Sequence, residues 1–156
     1  MGNKDTSHLK FLQLATLAPT SGSTTLAQAG DIFTGYLDPN FNNWGTSVAG
    51  VDTEVASVDI FEINQNGTYA DLFGSFRVDR RSLCLTQGQI VEFCRTNPDL
   101  LRQDGYATLF LFEVDDKLFV VFVCVVDGQL EAYVNHFDHD DVWRAIFRHR
   151  LVVSQR

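Results

Sequence analysis

Residues 106–134 contain three apolar stretches separated by two short turns, and this pattern predicts three consecutive β-strands. The stretches read YATLFLFEV, LFVVFVCVV and LEAYV, and the turns are Asp115-Asp116 and Asp127-Gly128. Side chains of the first two stretches are apolar on both alternating faces, so both sides of that part of the sheet need cover. The third stretch alternates between apolar and polar residues, as is typical of an edge or half-exposed strand.

Other segments supply the elements that would pack around these strands. Residues 54–64 alternate in polarity and predict a fourth strand, and residues 151–153 predict a terminal strand. Thr86 is a good N-cap for a helix over residues 87–95, which carries an apolar stripe at helical spacing. Further short helices are predicted at residues 8–17, at residues 68–73 and, after a cap at Asp138 or Asp140, around residues 142–146.

The chain is therefore expected to form one α+β domain over residues 1–156. Its sheet is expected to be mainly antiparallel, with the three-strand meander of residues 106–135 and the strand of residues 54–64 packed by short helices. Residues 1–7 are expected to be disordered, and residues 18–27 are expected to form a flexible loop. Hydrophobic residues make up 45% of the 156 positions and include 13 Phe, so the chain can bury a core of its own.

Composition also limits the surroundings in which the chain is expected to work. The longest apolar run, Leu118 to Val126, is shorter than the roughly 18 residues that a membrane-spanning helix needs. The three cysteines, Cys84, Cys94 and Cys124, lack a paired spacing, which is typical of reduced thiols inside cells. These features predict a cytoplasmic protein that does not bind membranes.

The charge of the chain is acidic and unevenly distributed. Its 20 acidic and 12 basic residues give a net charge of −8 and a pI of about 4.7. No Lys or Arg lies between Phe11 and Phe76. Because nucleic acid and anionic lipid surfaces attract basic proteins, this balance disfavours both as general partners.

A dense group of chemically active side chains follows the third predicted strand. His136, Asp138, His139 and Asp141 could together bind Zn²⁺ or Mn²⁺, since these ions accept imidazole and carboxylate ligands. The spacing matches neither the HExxH motif nor a paired-cysteine site. The alternative is that residues 138–141 begin a helix, where carboxylates satisfy free backbone amides and favour the helix dipole.

Arginine and aromatic side chains form a second candidate site. Arg144 and Arg148 could bind an acidic ligand through bidentate hydrogen bonds, and Trp143 could stack on a ring of that ligand. Tyr36 and Trp44 belong to a turn-rich aromatic segment that could line the same pocket. The alternative is that the arginines pair with aspartates within the fold.

Four short stretches of the C-terminal half have distinctive sequences. They are LCLTQ at residues 83–87, DGYATLFLF at 104–112, VWRA at 142–145 and RHRLVV at 148–153. In these stretches the chain is similar to small uncharacterised proteins of candidate-phylum bacteria. That group has no assigned activity, cofactor or catalytic residues, so the resemblance implies only a bacterial cytoplasmic origin.

Three functions are compatible with the sequence, here in descending order of support. The first is a non-enzymatic protein-interaction or self-associating module, because few helices are predicted to cover the sheet and a partner protein or a homodimer could complete it. The second is a domain that binds a small acidic ligand, and the third is a metal-dependent hydrolase that uses residues 136–141. Neither a G-x-S-x-G elbow nor a glycine-rich phosphate loop is present, so an enzyme is the less favoured class. No cofactor other than a divalent metal is expected.

Overall fold

The computed structural model describes residues 4–155, which form a seven-stranded sheet flanked by short helices. Residues 1–3, part of the segment predicted to be disordered, lie outside the described residues. The strands are β1 (Leu9–Leu17), β2 (Tyr36–Leu37), β3 (Ala56–Ile63), β4 (Ala107–Val114), β5 (Lys117–Val126), β6 (Gln129–His136) and β7 (Arg150–Ser154). The helices are α1 (Asn40–Asn43), α2 (Tyr69–Gly74) and α3 (Gln87–Thr96), with 3-10 helices at Leu26–Gln28, Arg80–Leu83, Pro98–Leu100 and Ala145–Phe147.

Across the sheet the strand order is β1-β3-β7-β4-β5-β6-β2. The three strands predicted within residues 106–135 are β4, β5 and β6, and they pair antiparallel in that order. The chain does form an α+β fold, but the prediction of a mainly antiparallel sheet is wrong. The sheet is mixed and is not a meander as a whole, because β7 lies parallel to β4 and β2 lies parallel to β6. Polarity alternation identifies a strand, but the direction of pairing depends on the path of the connections.

Each face of the sheet has its own hydrophobic core. The first face carries Ile60 and Phe110 and is covered by α1, α3 and the first 3-10 helix. The second face carries Leu109 and Leu151 and is covered by α2, the second 3-10 helix and residues 137–145. The chain itself thus covers both sides of β4, as the apolar faces of this strand require.

Residues 9–17 form a strand, so the helix predicted over residues 8–17 is wrong. β1 pairs with β3, and a β-bulge shifts the register between Phe11 and Gln13. Because the bulge inserts one residue, Leu9 and Phe11 pack on the second face, whereas Ala15 and Leu17, which regular alternation would place on that same face, pack on the first. The resulting apolar spacing imitates that of a helix, which explains the wrong prediction.

The helices predicted after Thr68 and Thr86 are confirmed as α2 and α3. Each threonine side chain accepts a hydrogen bond from the backbone N–H three residues later, and each threonine backbone N–H donates the reciprocal bond of a capping box to the side chain of that later residue. The helix predicted around residues 142–146 is wrong, because Ala145–Phe147 forms a single 3-10 turn preceded by Arg144 and not by a capping aspartate. Among residues 4–155, no helix has the length and apolar character needed to cross a membrane.

Specific contacts hold the loop of residues 18–27 against the rest of the fold. The Gly22 N–H donates to the Asp52 carboxylate at 2.7 Å. The Leu26 N–H donates to the side-chain carbonyl of Gln87 at 2.9 Å. The first bond fastens the loop to the segment that precedes β3, and the second fastens it to the start of α3, on the first face of the sheet.

Candidate functional site

One region of the second face is left partly open, where β5, β6 and β2 lie side by side. Phe122 pairs with Tyr133 across β5 and β6, and Tyr36 of β2 pairs with Glu131 of β6. Paired residues share a face, and alternate residues along a strand return to it. We call this region the open corner, and it consists of Tyr36, Phe122, Cys124, Val126, Tyr133 and Trp143, all half-buried or exposed.

Aromatic rings cross the open corner in one continuous row. The rings of Tyr36 and Tyr133 stack with their centroids 5.1 Å apart, and those of Tyr133 and Phe122 stack at 4.8 Å. Phe122 then meets Trp143 edge-on at 5.3 Å, and Trp143 meets His149 edge-on at 4.9 Å. Stacked and edge-on contacts are favoured arrangements of aromatic pairs. The row therefore holds its rings in fixed positions and presents a preorganised apolar surface.

A segment of the chain, residues 142–148, borders the open corner and is called the rim segment below. Trp143 forms a β-bridge with Gly67, and the Arg102 side chain donates a hydrogen bond to the Arg148 carbonyl at 2.9 Å. These contacts fix the backbone of the segment while several of its apolar side chains face solvent. The exposed fractions are 57% for Val142, 78% for Ile146 and 38% for Phe147.

Opposite charges lie on the two sides of the open corner. Arg144 and Arg148 of the rim segment are exposed, and their guanidinium groups have no hydrogen-bond or ion-pair partner among residues 4–155. On the other side, Glu131 accepts a hydrogen bond from the Tyr133 hydroxyl at 2.7 Å, and Asp127 occupies the turn between β5 and β6. The hydrogen bond to Glu131 raises the pKa of Tyr133 to about 12, so the phenol stays protonated.

Three titratable groups inside and beneath the open corner, Tyr133, His149 and Cys124, are neutral at physiological pH. Burial lowers the pKa of His149 to about 4, and the nearby positive charge of Arg102 adds to this effect. The His149 Nδ1 atom accepts a hydrogen bond from the Ala107 N–H at 2.9 Å, so the ring proton lies on Nε2. Burial raises the pKa of the Cys124 thiol to about 11, so little thiolate is present. The open corner is thus suited to binding and supplies no activated nucleophile.

The structure divides the five residues predicted to bind an acidic ligand. The ring of Trp44 stacks on His136 at 4.3 Å, and His136 in turn contacts Phe119 in the core of the first face. Trp44 therefore does not join the others in a single pocket. Of the remaining four, Tyr36 and Trp143 belong to the open corner, and Arg144 and Arg148 lie in the rim segment beside it.

The four residues predicted to bind a metal are also divided. His139 and Asp141 lie close together, with 3.7 Å between the Nδ1 atom and the carboxylate, and Asp140 joins them in an exposed group. Potential ligand atoms of these three residues lie within 4.8 Å of one another. His136 is held in its ring stack, and Asp138 is not part of the group. The three exposed side chains lack the buried hydrogen-bond partners that usually orient metal ligands.

A cavity of ≈ 480 Å³ lies at the start of α3. Leu85 and Val114 form apolar parts of its wall, while Thr86 and Glu113 contribute polar groups. Thr86 is already used as the helix cap, and the Glu113 carboxylate accepts a hydrogen bond from Arg81 at 2.8 Å. Because binding pockets need free polar groups to orient a ligand, the open corner is the stronger candidate site.

Sequence patterns do not single out the centre of the open corner. The apolar character of Phe122 and Cys124 assigns them to a sheet core, and only the arrangement of covering segments leaves them half-exposed. The one available signal is the alternation of the third predicted strand, which places Tyr133 and Glu131 on its polar face.

Comparison with protein-family models, curated proteins and solved structures finds no match for this chain. The resemblance to uncharacterised bacterial proteins stays a prediction. The function of the protein is therefore inferred from the geometry of the open corner.

Proposed function

We propose that this protein is a non-enzymatic self-associating module and that two copies dock through the open corner. The observation that carries this proposal is the aromatic row, because several large rings remain partly exposed side by side on one face of the sheet. Contiguous exposed apolar patches mark interaction sites in monomeric proteins. Aromatic residues and arginine are also the residue types enriched at protein interfaces.

A second copy suits the open corner better than a small ligand does. Small-molecule sites are concave, whereas the row lies along the surface of a sheet. The arginines and carboxylates on its two sides give the corner both signs of charge around one apolar centre. A surface of this kind is complementary to itself, as the interface of a symmetric dimer must be.

Ile146→Glu is expected to weaken self-association by about tenfold or more, because the new charge would be buried in an apolar contact. Light scattering during size-exclusion chromatography, over a wide range of protein concentration, measures the effect. Val51→Glu is the matched control, since Val51 is a 68% exposed apolar residue outside the open corner and the change in net charge is the same.

The control variant should associate as the unmodified protein does. A protein that stays monomeric at every concentration would contradict the proposal. Equal weakening by the two variants would also contradict it, because a general effect of added charge would then explain the loss.

A further inference from the structure

On the basis of the proposed function, we infer that the two copies pack face to face about a two-fold axis in the plane of the interface. This axis runs along β5 and passes close to Cys124. In this arrangement the rim segment of each copy lies against the acidic side of its partner's open corner. The inference adds an orientation and a central contact to the proposed dimer.

Strand order determines where the charges lie relative to the axis. The rim segment follows the second face on the β7 and β4 side, whereas Glu131 lies on the β6 side. Phe122 and Cys124, on β5, lie between the two sides. Arg144 and Arg148 are thus separated from Glu131 across the strands, with an apolar centre between them.

Two axes in the interface plane can relate the copies, and the charges distinguish them. An axis across the strands would place Arg144 and Arg148 against their own counterparts and Glu131 against its own counterpart. An axis along β5 exchanges the two sides, so that arginines meet carboxylates. Like charges opposite one another in an interface cost free energy, whereas opposite charges steer and align the partners. Either axis keeps the strands of the two stacked sheets aligned, so the charges decide between them.

The axis along β5 has a second consequence, at the centre of the interface. Residues on β5 that point out of the second face then meet their own counterparts. Cys124 is half-buried, and its small side chain lies between the larger Phe122 and the exposed Val126. A small residue at the axis allows the two sheets to approach while the rings around it interlock.

A charge-reversal pair tests the orientation. One variant carries Arg144→Glu with Arg148→Asp, where Asp is chosen because residue 148 has a φ of 54°. The other variant carries Gln129→Arg with Glu131→Arg on the acidic side. Each variant alone is expected to self-associate about tenfold or more weakly than the unmodified protein, because like charges then meet. An equal mixture of the two is expected to recover association to within a few-fold of the unmodified protein.

The matched control is Arg77→Asp with Lys117→Glu, which reverses two exposed charges away from the open corner. Arg77 has a φ of 58°, so its substitution places Asp in the same backbone conformation as at residue 148. This control is expected to dimerise normally. If the unmodified protein dimerises but the mixture stays as weak as its components, the orientation is wrong and the proposed function stands. If the unmodified protein is monomeric, the proposed function itself fails.

Chemical crosslinking checks the central contact independently of charge. In a Cys84→Ser background, a short bis-maleimide is expected to link two copies through Cys124 and to give a covalent dimer on a denaturing gel. Cys84 is replaced because it is the other half-buried thiol, whereas Cys94 is buried. The product should disappear in the Cys84→Ser, Cys124→Ser variant. A dimer in which mass spectrometry shows the reagent attached to Cys124, but which gives no crosslinked product, would place the axis away from Cys124 and overturn the inference.

Discussion

At the scale of single residues, His149 makes the stability of the fold sensitive to acid. The imidazole is 8% exposed and packs edge-on against Trp143, Tyr106 and Phe147. Its Nδ1 atom accepts the Ala107 N–H bond, which a protonated ring could not do. The folded protein therefore keeps the ring neutral at pH values where an unfolded chain would protonate it.

The free energy of unfolding is expected to fall by about 2 kcal/mol between pH 7.5 and pH 5 because of His149 alone. The pKa of the ring is about 4 in the folded protein and near 6.5 in an unfolded chain, so the unfolded state binds more protons in this window. Stability is then lost as the pH falls through the window. Urea unfolding of the unmodified protein and of His149→Gln at both pH values measures the difference, and the variant should lose less.

His139→Gln provides the control for this measurement, because His139 is exposed. Its loss of stability between the two pH values should match that of the unmodified protein. If His149→Gln also matched the unmodified protein, the buried neutral imidazole would not be the source of the acid sensitivity.

At the scale of elements, Gln87 joins α3 to two loops that would otherwise have few bonds to it. Its side-chain carbonyl accepts the Leu26 N–H at 2.9 Å, and its amide donates to the Thr46 carbonyl at 2.7 Å. Gln87 is 8% exposed, so these bonds are shielded from water. One side chain in the first turn of α3 thus positions the segments that cover the first face.

Gln87→Leu is expected to lower the free energy of unfolding by roughly 1 to 3 kcal/mol, because the buried Leu26 N–H would lose its partner while the Thr46 carbonyl would keep only the bond from the Val48 N–H. Chemical denaturation measures the loss, and hydrogen exchange at Leu26 should accelerate. Gln28→Leu is the control at an exposed glutamine of the neighbouring 3-10 helix, where a change near zero is expected. Equal stability of the Gln87 variant and the control would show that water replaces the lost bonds.

At the scale of the whole molecule, β7 joins two parts of the sheet that have no other shared strand. β1 and β3 lie on one side of it, and β4, β5, β6 and β2 lie on the other. Val152 of β7 is fully buried and pairs with Ile60 on one side and with Phe110 on the other. The two parts should therefore unfold together and not separately.

Val152→Ala is expected to lower the free energy of unfolding by about 2 kcal/mol and to leave a single transition. Circular dichroism reports on the sheet and tryptophan fluorescence on Trp44 and Trp143, and their unfolding curves should coincide. Val55→Ala, at a 63% exposed position, should be nearly neutral. Separate transitions by the two probes would show that β7 does not couple the parts.

Local sequence patterns predict the elements that are determined by their own residues. The apolar stretches and tight turns from Tyr106 to Val134 give three strands in the right order, and Thr86 marks the true start of α3. The strand β1 is missed because one bulge residue changes its apolar spacing. The parallel pairing of β7 is missed because it depends on a long connection and not on the residues of the strand.

The candidate site was harder to predict because it, too, depends on how distant segments pack together. Tyr36, Trp143, Arg144 and Arg148 are chemically conspicuous, and all four border the open corner. Phe122 and Tyr133, which connect Tyr36 to Trp143, look like ordinary strand residues, and their role depends on which part of a face remains uncovered. That property belongs to the packed molecule and has no local sequence signature.

The central position of β7 also has a consequence for biosynthesis. This strand follows all the others along the chain, yet it pairs with both β3 and β4. Until β7 leaves the ribosome, the edges of β3 and β4 that it will occupy remain unpaired. Unpaired apolar edges are templates for wrong pairing between chains. The time before β7 emerges is therefore when this protein is most exposed to misassembly.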